Sequence, residues 1–232
     1  MSGYGFDFHG LHLVARGSGA LWWPEGRWLV VADLHLGKSE RLARRGGPLL
    51  PPYEGLATLE RLAAEIVALD PATVVSLGDA FDDMAAVAAL DPLVRTVLAR
   101  LTQGRGWIWV QGNHDPAPPS GLGGKAVPDL AVGRVMLRHQ PEQGPDISGH
   151  FHPSLRLAGE RRRAFLLGRD HLILPAFGAY TGGLSCDDPA LARLVPQGLA
   201  IACGRQPLVL PIGAAGSRQT GSGQSGRLRL RK

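Results

Sequence analysis

The chain has 232 residues, 44% of them hydrophobic and 19% charged, which is enough apolar material for one globular domain or two small ones. The amino terminus lacks a basic region followed by an apolar one, and no apolar run could span a bilayer. We therefore expect a cytoplasmic protein, neither secreted nor bound to a membrane. The net charge of +5 lies entirely in residues 214–232, so the charge of the remaining body gives little support for nucleic-acid binding.

Predicted strands and helices alternate in the first half of the chain. Strands are predicted at residues 11–15, 20–23, 28–32, 73–77 and 107–110. A loop running into a short helix is predicted at residues 36–45. Helices are predicted at residues 53–69, where apolar side chains recur at helical spacing, and at residues 84–101, bent near Pro92. This alternation predicts parallel βαβ units.

Short predicted strands dominate after residue 126. They fall at residues 135–137, 154–157, 164–167, 171–174, 199–202 and 208–210, and they predict an added antiparallel sheet. A helix is predicted at residues 189–195, capped by Ser185 or Asp187.

The two cysteines, Cys186 and Cys203, lack CxxC spacing and are expected to be reduced thiols. Residues 1–213 form the predicted domain, and the basic, Gly/Ser/Gln-rich residues 214–232 are predicted to be a disordered tail.

Five polar clusters lie at or near the ends of predicted strands and contain five of the eight histidines. In chain order they are Asp33-x-His35, Gly78-Asp79 with Asp82, Gly112-Asn113-His114-Asp115, His139, and Gly149-His150-x-His152. Their oxygen and imidazole donors suit Mn²⁺, Fe or Zn²⁺, and they hold no thiolate that would favour a structural zinc site. The carboxyl ends of parallel strands gather at one edge of a sheet, so we expect the clusters to meet there.

The number of donors predicts more than one metal ion. Along an extended chain, residues two apart face the same way, so both donors of Asp33-x-His35, and both of His150-x-His152, are expected to point into one cavity. Seven donors exceed the needs of one ion and suffice for two that share a carboxylate. They are Asp33, His35, Asp79, Asn113, His139, His150 and His152. Two cations roughly 3.5–4 Å apart form the usual clamp for in-line attack on phosphorus.

The ordered motifs DxH, GDxxD, GNHD, H and GHxH, over residues 33–152, resemble those of the calcineurin-like metallophosphoesterase superfamily. Within it, the stretches at residues 33–39, 149–153 and 174–183 resemble the ligase-associated DNA damage response endonucleases. The resemblance implies an α/β fold, the metallophosphoesterase αββα sandwich, with two mixed β-sheets flanked by helices.

The same resemblance implies a role for each donor. One divalent ion is held by Asp33, His35, Asp79 and His152, and a second by Asp79, Asn113, His139 and His150, so that Asp79 is the bridge. Mn²⁺ is the expected metal, with Fe or Zn²⁺ as alternatives. His114 assists the leaving oxygen as general acid or stabilises the charged transition state. Asp82 resembles the carboxylate that orients His114.

The function implied is phosphodiester hydrolysis by a metal-bridging hydroxide, with DNA as substrate in an endonuclease of DNA repair. The implied partners are a repair DNA ligase, a large helicase and a nuclease of the metallo-β-lactamase type. Two alternatives stay open. The same centre serves small-molecule phosphodiesterases and phosphatases, since surrounding loops set the substrate class. The other alternative is a non-catalytic scaffold, and the intact donor set argues against it.

Other basic and aromatic residues are open to more than one interpretation. The basic side chains after the first cluster, Lys38, Arg41, Arg44 and Arg45, either grip flanking phosphates or form a solvated helix face. Residues 161–163, three arginines, are expected to be an exposed turn, and the five tryptophans are expected to pack in the core or on a sheet face. His9, His12 and His171 fit no motif and are expected to be structural. The basic tail either contacts nucleic acid or only adds solubility.

Overall fold

A computed structural model describes residues 2–47, 53–115 and 121–213. The first sheet has seven strands that lie in chain order: β1 (Gly3–Phe8), β2 (Leu11–Arg16), β3 (Leu21–Trp23), β4 (Trp28–Ala32), β5 (Thr73–Leu77), β6 (Gly106–Val110) and β7 (Lys125–Val127). Strands β1 to β4 pair antiparallel, whereas β4 to β7 pair parallel. The parallel half is where helices cross between strands, as the alternating pattern predicts.

The second sheet is built from the carboxyl-terminal half of the chain. Its strands are β8 (Leu130–Val132), β9 (Val135–Leu137), β10 (Asp146–Ser148), β11 (Ser154–Leu157), β12 (Glu160–Leu167), β13 (His171–Ile173), β14 (Gly198–Ala202) and β15 (Leu208–Ile212). They lie in the order β15-β14-β12-β13-β10-β9-β8, and β11 forms a hairpin with β12. The antiparallel prediction is wrong for β10, which is parallel to both β9 and β13. The β11–β12 hairpin between β10 and β13 gives the chain enough length to return in the same direction.

The described residues form five helices: α1 (Lys38–Arg44), α2 (Glu54–Leu69), α3 (Met84–Ala88), α4 (Pro92–Thr102) and α5 (Pro189–Leu194). The bent helix predicted over residues 84–101 is two separate helices. Asp83 caps α3 and Asp91 caps α4, each by accepting a hydrogen bond from a backbone N–H in the first turn. Pro92, which has no N–H, fits the first position of α4. The cap of α5 is Asp188, so the prediction of Ser185 or Asp187 is wrong.

Three apolar clusters produce an αββα sandwich and confirm the predicted fold class. Val30, Val75 and Val110 of the first sheet meet Phe165 and Ile201 of the second between the sheets. On the outer face of the first sheet, the apolar side of α2 and of α4 packs on β4, β5 and β6, with the indoles of Trp107 and Trp109 buried. Helix α5 covers the outer face of the second sheet.

Four strands, β1, β7, β8 and β10, were not predicted: β1 alternates with glycines, and β7, β8 and β10 have three residues each. Cys186 and Cys203 are buried free thiols, as predicted. Among the described residues no helix combines the length and hydropathy needed to cross a membrane. The predicted tail, residues 214–232, lies outside the described residues, so both interpretations of it stay predictions.

Candidate metal centre

The predicted donors converge where the carboxyl ends of the strands of both sheets meet. Asp33 and His35 follow β4, Asp79 follows β5, and Asn113 and His114 follow β6, and these three strands are neighbours. His139 follows β9, and His150 and His152 follow β10 in the second sheet. Backbone hydrogen bonds join the sheets at this edge, from Phe177 N–H to Ala32 O at 2.7 Å and from Gly178 N–H to Asp33 O at 3.0 Å.

Five of the seven donors have a left-handed backbone, with φ of 54° at Asp33, 47° at His35, 44° at Asp79, 67° at His150 and 49° at His152. This conformation costs roughly 1–3 kcal/mol for each residue other than glycine, and such strain clusters at functional sites. The expectation that the paired donors lie on an extended chain is therefore wrong. Tight turns direct these side chains, and His150 and His152 point into two different groups of donors.

The first group consists of Asp33, His35 and His152, whose donor atoms all lie within 4.8 Å of one another. The Nε2 atoms of His35 and His152 are 3.4 Å apart, and His152 Nε2 is 3.2 Å from Asp33 Oδ1. Asp33 is fully buried, and its Oδ1 has no hydrogen-bond partner among the described residues. A buried carboxylate oxygen without a donor, facing two imidazole nitrogens, is a donor set that fits a divalent cation.

The second group consists of Asp79, His139 and His150, with Asn113 beside it. His139 Nε2 lies 3.3 Å from Asp79 Oδ2 and 2.8 Å from Asn113 Oδ1, and His150 Nδ1 lies 3.1 Å from the same amide oxygen. Asp33 Oδ1 is 3.8 Å from His139 Nδ1, so the two groups adjoin each other. The structure places Asp79 in this second group, and its role as a bridge stays a prediction.

The Asp79 carboxylate is held in its charged form even without a cation. Burial alone would raise the pKa of Asp79, but His139 and the backbone N–H of His114, 2.9 Å from Asp79 Oδ1, outweigh burial and lower the pKa to about 2. A metal ligand must be deprotonated, so this carboxylate is ready to bind a cation over the whole neutral range.

Contacts between the Nδ1 atom and a nearby oxygen fix the orientation of three histidines. His152 Nδ1–H donates to Gly182 O at 3.0 Å and His139 Nδ1–H donates to Leu77 O at 3.2 Å. His35 Nδ1 lies 2.9 Å from Asp82 Oδ1. When Nδ1 carries the proton and faces an oxygen, the lone pair of Nε2 is free to bind a metal. Such contacts raise the affinity of a histidine for a metal. His150 is the exception, because its Nδ1 points into the centre.

The predicted role of the Asp82 carboxylate is corrected by these contacts. It pairs with His35 and with Arg41 of α1 rather than with His114. His114 is held instead by the main-chain carbonyl of Asp82, which accepts from its Nδ1–H at 2.8 Å. His114 Nε2 then faces the centre, 3.9 Å from Asp79 Oδ2, and about a third of the side chain, 34%, is exposed. Spacing along the chain could not show which atoms of Asp82 are used.

Gly149 leaves room for the approach of the two sheets. A Cβ atom at this position would lie 2.8 Å from the Cβ of Ala32 and would overlap the carboxylate of Asp33. The glycine of the GHxH motif is therefore required by close packing against the first motif.

The family model described as calcineurin-like phosphoesterase matches residues 26–165, more than half of the chain. The chain belongs to the calcineurin-like phosphoesterase family. A solved structure that resembles this phosphoesterase is the crystal structure of Pseudomonas putida nuclease MPE, which is 27% identical, covers 91% of this chain and 100% of its own, and gives a TM-score of 0.71. A comparison with curated proteins gave no match. Membership in the family confirms the predicted superfamily and makes the chain a hydrolase of phosphoester bonds.

The basic residues of this phosphoesterase take different places from those expected. Arg41 pairs with Asp82, and Arg44 pairs with Glu40 and with Asp83 at 3.0 Å, so these two side chains hold α1 to the site rather than project towards a ligand. Residues 161–163 lie on strand β12, so the predicted turn is wrong, although Arg161 and Arg162 are exposed as expected. Arg163 is half-buried because its guanidinium reaches back to the segment after β13.

The tryptophans and the histidines outside the motifs lie where they were expected. Trp107 and Trp109 are core residues, and the other three tryptophans pack against the clusters, as expected. His9, His12 and His171 lie outside the two donor groups and face Arg169 O, Asp7 and Asp146. Sequence reasoning missed Arg61 of α2, which lines a cavity together with His152 of the first donor group.

Proposed function

We propose that this phosphoesterase is a binuclear-metal-dependent phosphodiesterase that cleaves DNA as an endonuclease. The observation that carries the proposal is the adjacency of two donor groups, each able to hold one divalent ion, with His114 Nε2 facing the same space. The similarity to a Pseudomonas putida nuclease over nearly the whole chain supports a nucleic-acid substrate.

The residues of the chain have separable tasks in this reaction. Asp33, His35, Asp79 and His152 would hold one ion, and Asp79, Asn113, His139 and His150 the other. When bound, two divalent ions activate a water and neutralise charge on the phosphate oxygens. His114, with its Nδ1–H held by Asp82 O, has Nε2 free to carry the proton that the leaving oxygen takes up. Asp82 and Arg41 keep His35 in place.

The nitrogen and oxygen donors support Mn²⁺ as the metal, with Fe or Zn²⁺ as alternatives. We extend the proposal to a cytoplasmic role in DNA repair, with a repair DNA ligase, a large helicase and a metallo-β-lactamase-type nuclease as partners. This extension is supported by the resemblance of the motifs after β4 and β10 to ligase-associated endonucleases.

A small-molecule phosphodiesterase or phosphatase is the second candidate. A cavity of about 370 Å³ beside His152 favours it, because this volume is typical of pockets that enclose small ligands.

One comparison of substrates separates the two candidates. The protein is incubated with Mn²⁺ and with bis-p-nitrophenyl phosphate, p-nitrophenyl phosphate or a circular single-stranded DNA, and His114→Ala serves as the control for contaminating nucleases. We expect hydrolysis of the diester and nicking of the circle, both strongly reduced in the variant. Hydrolysis of small esters with an intact circle would contradict the endonuclease and support the second candidate.

A further inference from the structure

A cavity of about 370 Å³ opens beside the metal centre and is lined by three arginines. His152 of the first donor group forms part of its wall. Arg61 comes from α2, whereas Arg161 and Arg163 come from β12, where alternate residues face the same side. The cavity therefore joins a candidate metal ligand to a concentration of positive charge that the proposed chemistry at the centre does not use.

The arginines of the cavity lack acidic partners, although Arg61 and Arg163 are half-buried and a guanidinium group taken out of water is normally paired. Among the described residues, no carboxylate lies within 4.0 Å of Arg61, Arg161 or Arg163. Arg61 stacks on the ring of Phe177 at 4.4 Å, and its Nε and Nη2 are buried with no hydrogen-bond partner. Leaving such donors unpaired in the folded protein costs free energy, which a bound anion would recover.

The half-buried side chains of Arg61 and Arg163 nevertheless stay charged near neutral pH. Burial, and then the charge of Arg163, lowers the pKa of Arg61 to about 10. Burial also lowers the pKa of Arg163. The nearby thiol of Cys203 is neutral, because burial raises its pKa to about 11, so it is not a counter-ion. The site thus holds two cations side by side, which favours a ligand with more than one anionic oxygen.

Backbone contacts fix the cavity relative to the metal centre. Gly182 O accepts the Nδ1–H of His152, and the next carbonyl, of Gly183, accepts from Arg161. On the other side, Arg163 Nη1 donates to Ala176 O at 3.1 Å and to Phe177 O at 3.2 Å, and the following residue, Gly178, binds Asp33 O. One segment therefore contacts the arginines and the candidate metal ligands at the same time.

We propose that Arg61, Arg161 and Arg163 form a subsite for a second phosphate group of the substrate, next to the phosphodiester held at the metal centre. The planar guanidinium fork matches phosphate oxygens and is the usual choice where a buried phosphate is bound. The proposal rests on the proposed function, because the centre must hold the ester that is cleaved. The second phosphate belongs either to the backbone of a strand or to a strand end.

Chromogenic nucleotides with one or two phosphates test the subsite directly. Thymidine 5′-(p-nitrophenyl phosphate) is compared with the same compound carrying a 3′-phosphate, and the 3′-ester is compared with and without a 5′-phosphate. We expect one of the two bisphosphates to have a higher kcat/KM than its parent ester, which lacks the second phosphate. Arg61→Gln, which keeps a stem over Phe177, and Arg161→Gln should reduce that advantage by on the order of 10-fold, as expected for hydrogen bonds to a charged group.

The matched control is Arg162→Gln, on the same strand with its side chain on the opposite face, where it pairs with Glu160 at 3.4 Å. It should keep the full advantage of the bisphosphate. If neither bisphosphate is better than its parent ester, or if Arg61→Gln and Arg162→Gln act alike, the subsite does not exist. Absence of turnover on every ester in the wild type would instead contradict the proposed function.

Equilibrium binding tests the subsite without turnover. Binding of a labelled oligothymidylate is measured in the presence of Mn²⁺ with the full-length His114→Ala protein, so that the oligonucleotide is not cleaved. We expect roughly 10-fold weaker binding when Arg61→Gln is added to this variant and no change when Arg162→Gln is added. Removing the terminal phosphate of the oligonucleotide distinguishes the sources. Unchanged dependence on Arg61 identifies a backbone phosphate, and loss of that dependence identifies a strand end. Equal binding by the Arg61→Gln and Arg162→Gln proteins would overturn the proposal.

Discussion

Gly149→Ala is expected to misplace Asp33 and so to weaken the metal centre. The added Cβ would lie 2.8 Å from the Cβ of Ala32, whereas ordinary contacts begin at 3.4 Å, so the two sheets must separate here by about 0.6 Å. The Asp33 carboxylate lies in the same overlap, and its Oδ2 accepts from His150 N–H at 2.9 Å. Because a misplacement of about 1 Å can cost about 100-fold in rate, we expect kcat/KM to fall on the order of 10-fold to 100-fold.

The assay is Mn²⁺-dependent hydrolysis of bis-p-nitrophenyl phosphate, with the metal affinity measured on the same preparation. Gly5→Ala in β1 is the control, because its added Cβ meets only an ordinary contact, 3.5 Å from His12 Nε2. Thermal unfolding of both variants separates a local shift from loss of the fold. A Gly149→Ala protein with wild-type metal affinity and wild-type rate would refute the packing argument.

Three further substitutions test other parts of the site, and a labelling experiment tests a buried thiol. Asp79→Asn keeps an acceptor for the backbone of His114 but removes the charged donor, so metal analysis should find fewer ions and hydrolysis should be lost. His114→Ala should keep its metal and lose about 10²-fold to 10⁴-fold in kcat; a loss of metal would mean that this residue is a ligand. Asp82→Asn should weaken metal binding by about 10-fold to 100-fold through His35, which a titration with Mn²⁺ would detect. Cys203 keeps its proton to a higher pH when folded than when unfolded, since its pKa is raised to about 11, so labelling by a thiol reagent should stay slow at pH 8 and the fold should lose stability above about pH 9.

The donors could be predicted from the sequence because residue type and order carry the information. Each cluster follows a strand or a short strand pair, and parallel strands bring their carboxyl ends to one edge whatever the details of the loops. Asp33, Asp79 and Asn113 could therefore be placed together before the backbone was known. The resemblance implied the division of His150 and His152 between two groups of donors, whereas alternation along a strand gave the opposite expectation. Left-handed turns set that division, and spacing along the chain does not predict them.

Contacts between segments far apart in the chain could not be predicted. The Asp82 carboxylate pairs with His35 and Arg41 because α1 begins directly after the first cluster and lies against the turn after β5, a geometry that spacing does not encode. Arg61 and Arg161 come from α2 and β12 and share one cavity only after both sheets have formed. The parallel pairing of β10 was missed because three residues carry too little pattern to show direction.

The proposed function requires that the two adjacent groups of donors bind two divalent ions and that hydrolysis needs both. Chelator-treated protein is titrated with Mn²⁺, the bound ions are counted by elemental analysis after removal of free metal, and hydrolysis of bis-p-nitrophenyl phosphate is measured on the same samples. We predict two ions for each chain and activity that rises with the second ion. Saturation at one ion, or full activity in the presence of the chelator, would contradict the binuclear centre.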